Sequence, residues 1–210
     1  MGDVLRHVAH DRRMLAFLFD VAAIGSASEA AIVMAPALAD GLALGRMGVG
    51  WITAMFGLGG LLGVWGHRMA GTVLGPRGEG CLAMGLLAAA GTTIGMWHSM
   101  LAMGVSLVVG GAGMLMGISA FSFGVQLLSP APMLGRVMAL WVIAFAGVRP
   151  LASVALGFVA DRASPSVAIL GAAATLFLCT PLVFLAARRG VERDEDPASL
   201  TQPVGHRMAA

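Results

Sequence analysis

Six long apolar stretches, parted by short polar joints, leave this chain few folds to choose from. They run near Met14–Ala37, Met47–Gly66, Gly80–Ser99, Met100–Leu128, Val137–Ala160 and Ser166–Ala187. Each is at least about 20 residues long, which is what a helix needs to cross some 30 Å of hydrocarbon. A membrane barrel would show short segments of alternating polarity instead. Charged residues make up 11% of the 210, while 58% are hydrophobic. A soluble domain carries about 25% charged residues, so this chain has too little polar surface to cover a globule. The reading is an all-α membrane protein, with six transmembrane helices in one bundle over residues 14–187. A polar head, 1–13, and a polar tail, 188–210, flank it. The tail holds Glu192, Asp194, Glu195 and Asp196 and is expected to be disordered.

Arginine placement sets the orientation. Arg6, Arg12, Arg13, Arg68, Arg77, Arg136, Arg188, Arg189 and Arg193 fall on one side. Only Arg46 and Arg162 fall on the other. Basic residues stay on the cytoplasmic side, so both termini are expected there, in a multi-pass protein of the plasma membrane. Arg12-Arg13 before an apolar run resembles the start of a twin-arginine leader. The run is too long for a leader core and holds Asp20 and Glu29, so it reads as a span.

Several chemistries find no footing. Net charge is +2, and no basic run has interleaved aromatics, so no nucleic-acid partner is expected. There is no phosphate-cradling Gly-Lys-Ser/Thr loop and no nucleophile elbow, so neither ATP-driven transport nor an enzyme is expected. Cys81 and Cys179 lie inside apolar stretches and read as packing residues. His7 and His10, beside Asp11, read as solvated, so no metal or other cofactor is expected.

Three ionisable residues fall inside the spans: Asp20, Glu29 and Arg149. Each costs roughly 2.5–3.5 kcal/mol at mid-membrane, which favours burial with a partner or facing water. Asp20 and Glu29 are nine residues apart, about 13 Å along a helix and on opposite faces. Only a break, for which Gly25 and Ser26 are placed, would aim both at one cavity. One of them is therefore the expected partner of Arg149, with Glu29, the deeper, preferred. Two roles remain open for the charges: a proton or substrate relay, or an ion pair that fixes helix register. Pro150 withholds an amide from the Ala146 carbonyl and is expected to kink the fifth helix. Ser119, Ser122 and Gln126 share one face of the fourth, as a cavity lining would. Gly59/Gly63, Gly91/Gly95 and Gly113/Gly117 have small-xxx-small spacing, which suits helix packing inside the bundle.

The segment Gly124–Trp141, GVQLLSPAPMLGRVMALW, resembles the link between the tenth and eleventh helices of major facilitator transporters. The nearest pattern is that of bacterial siderophore and drug exporters. Ala144–Ala152, AFAGVRPLA, and Gly157–Arg162, GFVADR, continue the likeness. The loop from Gly63 to Gly78 resembles a degraded copy of the family's cytoplasmic loop motif, with His67 where an acidic residue is usual. Leu134 and Ala146 stand where the family often has arginine.

The resemblance implies the C-terminal six-helix half of a twelve-helix carrier. It implies that spans one, two, four and five line a cavity and that three and six face lipid. It assigns Asp20, Glu29 and Arg149 to substrate binding or proton coupling. Ser119, Ser122, Gln126 and Pro150 become cavity lining, and Arg68, Arg77 and Arg136 a cytoplasmic gate. The implied function is secondary active transport, proton-coupled efflux of a small molecule. Rocking around one site takes two bundles, so the implied partners are the lipid bilayer, a small-molecule substrate, and an N-terminal half or a second copy. A truncated remnant or membrane scaffold that transports nothing is the alternative. A channel-like oligomer would need a symmetric pore-lining helix.

Overall fold

A computed structural model describes residues 8–9, 11–97 and 99–194. Among them there are six α-helices and no strand. Helix α1 spans Arg12–Val33 and α2 Ala35–Gly41. Helices α3, Gly48–Met96, and α4, Met100–Leu128, follow. The last two are α5, Leu134–Arg162, and α6, Pro165–Asp194.

Local chemistry explains the boundaries. Asp11 caps α1, its carboxylate accepting from the amides of Arg13 (2.8 Å) and Met14 (3.3 Å). Pro36, in the first turn of α2, suits a position that lacks an intrahelical acceptor. Ser99 caps α4 by accepting from the Ala102 amide at 3.3 Å. The joint between α3 and α4 is therefore as tight as the sequence requires.

Helix α3 takes in both the second and the third apolar stretch. Its 49 residues would reach roughly 74 Å if straight, more than twice the hydrocarbon thickness. It does not stay straight. Gly75 has φ 65° and ψ 173°, a left-handed conformation open to glycine, and Pro76 follows. The contacts along α4 show that the chain reverses there. On the first arm, Gly59 lies on Val108 and Gly63 on Ala112, so the numbers rise together. On the second, Gly80 lies on Phe121 and Ala90 on Gly110, so they run oppositely. The two arms form a hairpin astride α4.

Four helices are long and apolar enough to cross a membrane: α1, α3, α4, and α5 with the turn before it. The described apolar part of α6 is shorter, Pro165–Thr180. Helix α6 runs on to Asp194 and so takes in the start of the polar tail. The rest of the tail and most of the head, with His7 and His10, lie outside the described residues.

The core has two storeys. One gathers Phe17, Val21, Ile24, Met84, Phe121 and Val125; the other gathers Met34, Ile52, Ile94, Leu107 and Ile169. All three glycine pairs pack inside the bundle. Gly59 and Gly63 meet α4, Gly91 and Gly95 meet Ala173 and Leu170 of α6, and Gly113 and Gly117 meet Ala83. The second arm of α3 thus buries one side against α4 and α6. Helix α5 is the least covered. Only Val137 and Leu156 are buried on it, while Ile143, Leu151, Val154 and Phe158 form an exposed apolar stripe.

Candidate functional site

Helices α1 and α5 lie in parallel with a constant offset. A Cβ on Gly25 would sit 2.7 Å from the Phe145 carbonyl oxygen, so the backbones all but touch there. One turn on, Glu29 meets Arg149. Both contacts are 120 residues apart in sequence, as one shared register demands.

The break that would have aimed both carboxylates at one cavity is absent. Helix α1 passes through Gly25 and Ser26 intact, with Ser26 donating to the Ala22 carbonyl at 2.9 Å. Gly25 serves close approach, not a kink. Asp20 and Glu29 therefore keep opposite faces and do not share a cavity.

The Arg149 Nε donates to Glu29 Oε1. Ser153, one turn further along α5, donates to Glu29 Oε2 at 3.0 Å, and its oxygen also lies 3.0 Å from the Arg149 carbonyl. Both carboxylate oxygens are thus satisfied. The Glu29 side chain is 10% exposed and that of Arg149 33%, so the pair is sunk on the glutamate side and open on the arginine side. The Arg149 guanidinium carbon sits 5.4 Å from the centre of the Phe145 ring, which stacks on Trp141 at 5.7 Å. Trp141, Phe145, Arg149 and Ser153 follow at steps of four and make one ladder on α5.

The other expected residues lie elsewhere. Asp20 is 1% exposed, in the core beside Phe17 and Val21. Pro150 faces outward, and α5 continues through it without a non-helical residue. Arg149 reaches Glu29 rather than the Ala146 carbonyl that Pro150 leaves unserved. The polar face of α4 bonds to itself: Gln126 donates to Ser122 at 3.1 Å and Ser119 to the Leu115 carbonyl at 2.9 Å. Arg68 and Arg136 are exposed, and Arg77 shares a cleft with Phe17, Pro76, Gly124 and Leu128.

Two partners escaped the sequence reading. Ser153 is one; its place one turn after Arg149 was the available sign. The other is a second polar pair, His67 Nδ1 and Glu79 Oε1 at 2.6 Å, which closes the α3 hairpin around Gly75. Glu79 is 1% exposed there. Both residues stand at the inner ends of neighbouring apolar stretches, which a hairpin must bring together.

A membrane-embedded helical bundle with a buried charged pair between two of its helices is a construction used by transport proteins. The chain belongs to the transmembrane secretion effector family, a branch of the major facilitator superfamily, whose model matches residues 1–207. No curated protein and no solved structure matches it.

Proposed function

We propose that this chain works as a six-span half of a secondary transporter that exports a small molecule against proton entry. The carrying observation is the Glu29–Arg149–Ser153 cluster: three polar groups from α1 and α5, balanced in charge, with the guanidinium side open. Family membership supports membrane secretion as the task. The hairpin in α3 supports counting its arms as two spans, and with α6 this gives six. The arginine bias supports cytoplasmic termini.

In this reading the exposed stripe of α5 meets a second six-helix bundle, and the site lies between them. Arg149 is the substrate-facing charge. Glu29 holds it in place from the protein side, and Ser153 holds Glu29. A ligand that engages Arg149 loosens its grip on Glu29 and so alters how α1 and α5 are held together. Alternating access needs such a link between occupancy and helix position.

The test is dye export from everted membrane vesicles carrying the full chain, with and without an imposed pH gradient. Gradient-dependent dye movement that Arg149→Gln and Glu29→Gln each reduce at least tenfold supports the proposal. Folded protein that moves no dye under either condition overturns it in favour of the scaffold reading.

A further inference from the structure

Asp20 is a buried carboxyl that neither the Glu29–Arg149 cluster nor the His67–Glu79 pair uses. It is 1% exposed, and its Oδ2 has no hydrogen-bond partner. Among the described residues no cation is paired with it. The titratable groups within its electrostatic reach are Cys81, from the second arm of α3, and Cys179, from α6. Both are free thiols. The storey of the core that holds Phe17 and Val21, its neighbours on α1, is apolar and includes Phe121 and Val125 from α4 and Val137 from α5. Among the described residues no trio of His, Cys, Asp or Glu has the geometry to hold a metal ion, so the two thiols and the carboxylate do not form a metal site. The α1–α5 register sets Asp20 level with Leu140, next to Trp141, whose indole N–H is also buried without a partner.

An ionised carboxylate in such a place lacks both a counter-charge and donors, at a cost of several kcal/mol. The neutral acid avoids most of that cost. Glu29 differs on every count: it has a guanidinium and a hydroxyl. We infer that the two carboxyl groups of α1 divide the labour, Asp20 carrying the exchangeable proton and Glu29 anchoring Arg149. This deepens the transport reading and rests on it for the word carrier.

The step is one proton taken up by the Asp20 carboxylate from water when the bundle opens to one side of the membrane, and released to water when it opens to the other. No other bond changes. Asp20 and Glu29 sit on one unbroken helix, about 13 Å apart. A movement of α1 that wets Asp20 therefore also moves the anchor of Arg149. The proton and the substrate charge are linked by a rigid rod and need no shared cavity.

Infrared spectroscopy of the full chain in lipid nanodiscs reads this directly. At neutral pH the wild type should show the carbonyl band of a buried, protonated carboxylic acid. Asp20→Asn should lose it, Asp20→Glu should shift it, and Glu29→Gln should keep it. Raising the pH should bleach it reversibly. Glu79→Gln, run in parallel, accounts for the other deeply buried carboxyl. A band unchanged in Asp20→Asn, lost in Glu29→Gln, or fixed across the pH range in which the protein stays folded overturns the inference. Asp20→Glu guards against an Asp20→Asn variant that fails to fold. No flux enters the measurement, so an Asp20 that holds no proton and a bundle that transports nothing give different results.

Discussion

The first arm of α3 and α4 approach each other backbone to backbone, and their glycines permit it. A Cβ on Gly111 would lie 2.0 Å from the Phe56 carbonyl oxygen; on Gly59, 2.1 Å from that of Val108; on Gly63, 2.3 Å from that of Ala112. Carbon and carbonyl oxygen settle at about 3.3 Å or more, so each alanine would overlap by about 1.0–1.3 Å. The neighbours are backbone atoms and cannot rotate away. The helices must part by about 1 Å along the seam, which forfeits roughly a quarter to a half of each dispersion contact there. Overpacking of this kind costs about 1–3 kcal/mol. For a chain of this size that lowers the melting temperature by on the order of 5 °C. Gly57 and Gly85 have nothing within 4 Å of an added Cβ, and both are helical. Alanine there should be neutral or stabilising by about 0.5–1 kcal/mol. The assay is thermal unfolding of purified variants in detergent, followed by tryptophan fluorescence. Gly111→Ala and Gly63→Ala should melt well below the wild type, and Gly57→Ala at or above it. If Gly111→Ala melts with Gly57→Ala, the seam is not packed as described.

The hairpin pair gives an asymmetric prediction. His67→Ala strands a carboxylate that is 1% exposed, at about 3 kcal/mol, whereas Glu79→Gln leaves a neutral amide beside a partly exposed imidazole, at about 1 kcal/mol. Unfolding of the two variants in one detergent checks the order. Asp11→Ala removes the cap of α1 and should cost about 1 kcal/mol, visible as faster proteolysis before Met14. Ser153→Ala deprives Glu29 of one donor and keeps Arg149. It should lower stability by about 1 kcal/mol and lower dye export less than Arg149→Gln does.

The sequence made the long apolar helices legible, four of them long enough to cross a membrane, because a membrane helix must satisfy its backbone within itself and so writes itself as a long apolar run. The Glu29–Arg149 pair was legible for a related reason. So few charges lie inside the spans that partners are nearly forced. Which features of glycine and proline break a helix was not legible. Gly25 and Gly75 look alike in the sequence, yet one is a contact point inside a straight helix and the other a reversal. The difference lies in what packs against each, and that is tertiary information. Pro150 likewise sits in α5 without ending it, because the helix gives up one hydrogen bond on an exposed face. His67 and Glu79 were hidden by their separation of twelve residues, which only the turn at Gly75 converts into 2.6 Å.

Glu29 and Arg149 act as one unit between α1 and α5, and a charge swap tests that most directly. The measurement is the yield of folded, detergent-stable protein for Glu29→Arg, Arg149→Glu and the double variant. Each single reversal sets like charges against each other where one side chain is 10% exposed and the other 33%. The loss should lie toward the lower end of the roughly 3–5 kcal/mol for a broken buried pair, since Arg149 is partly open. The double variant should recover most of the yield. A double variant as damaged as either single one would show that the two side chains do not act as a pair.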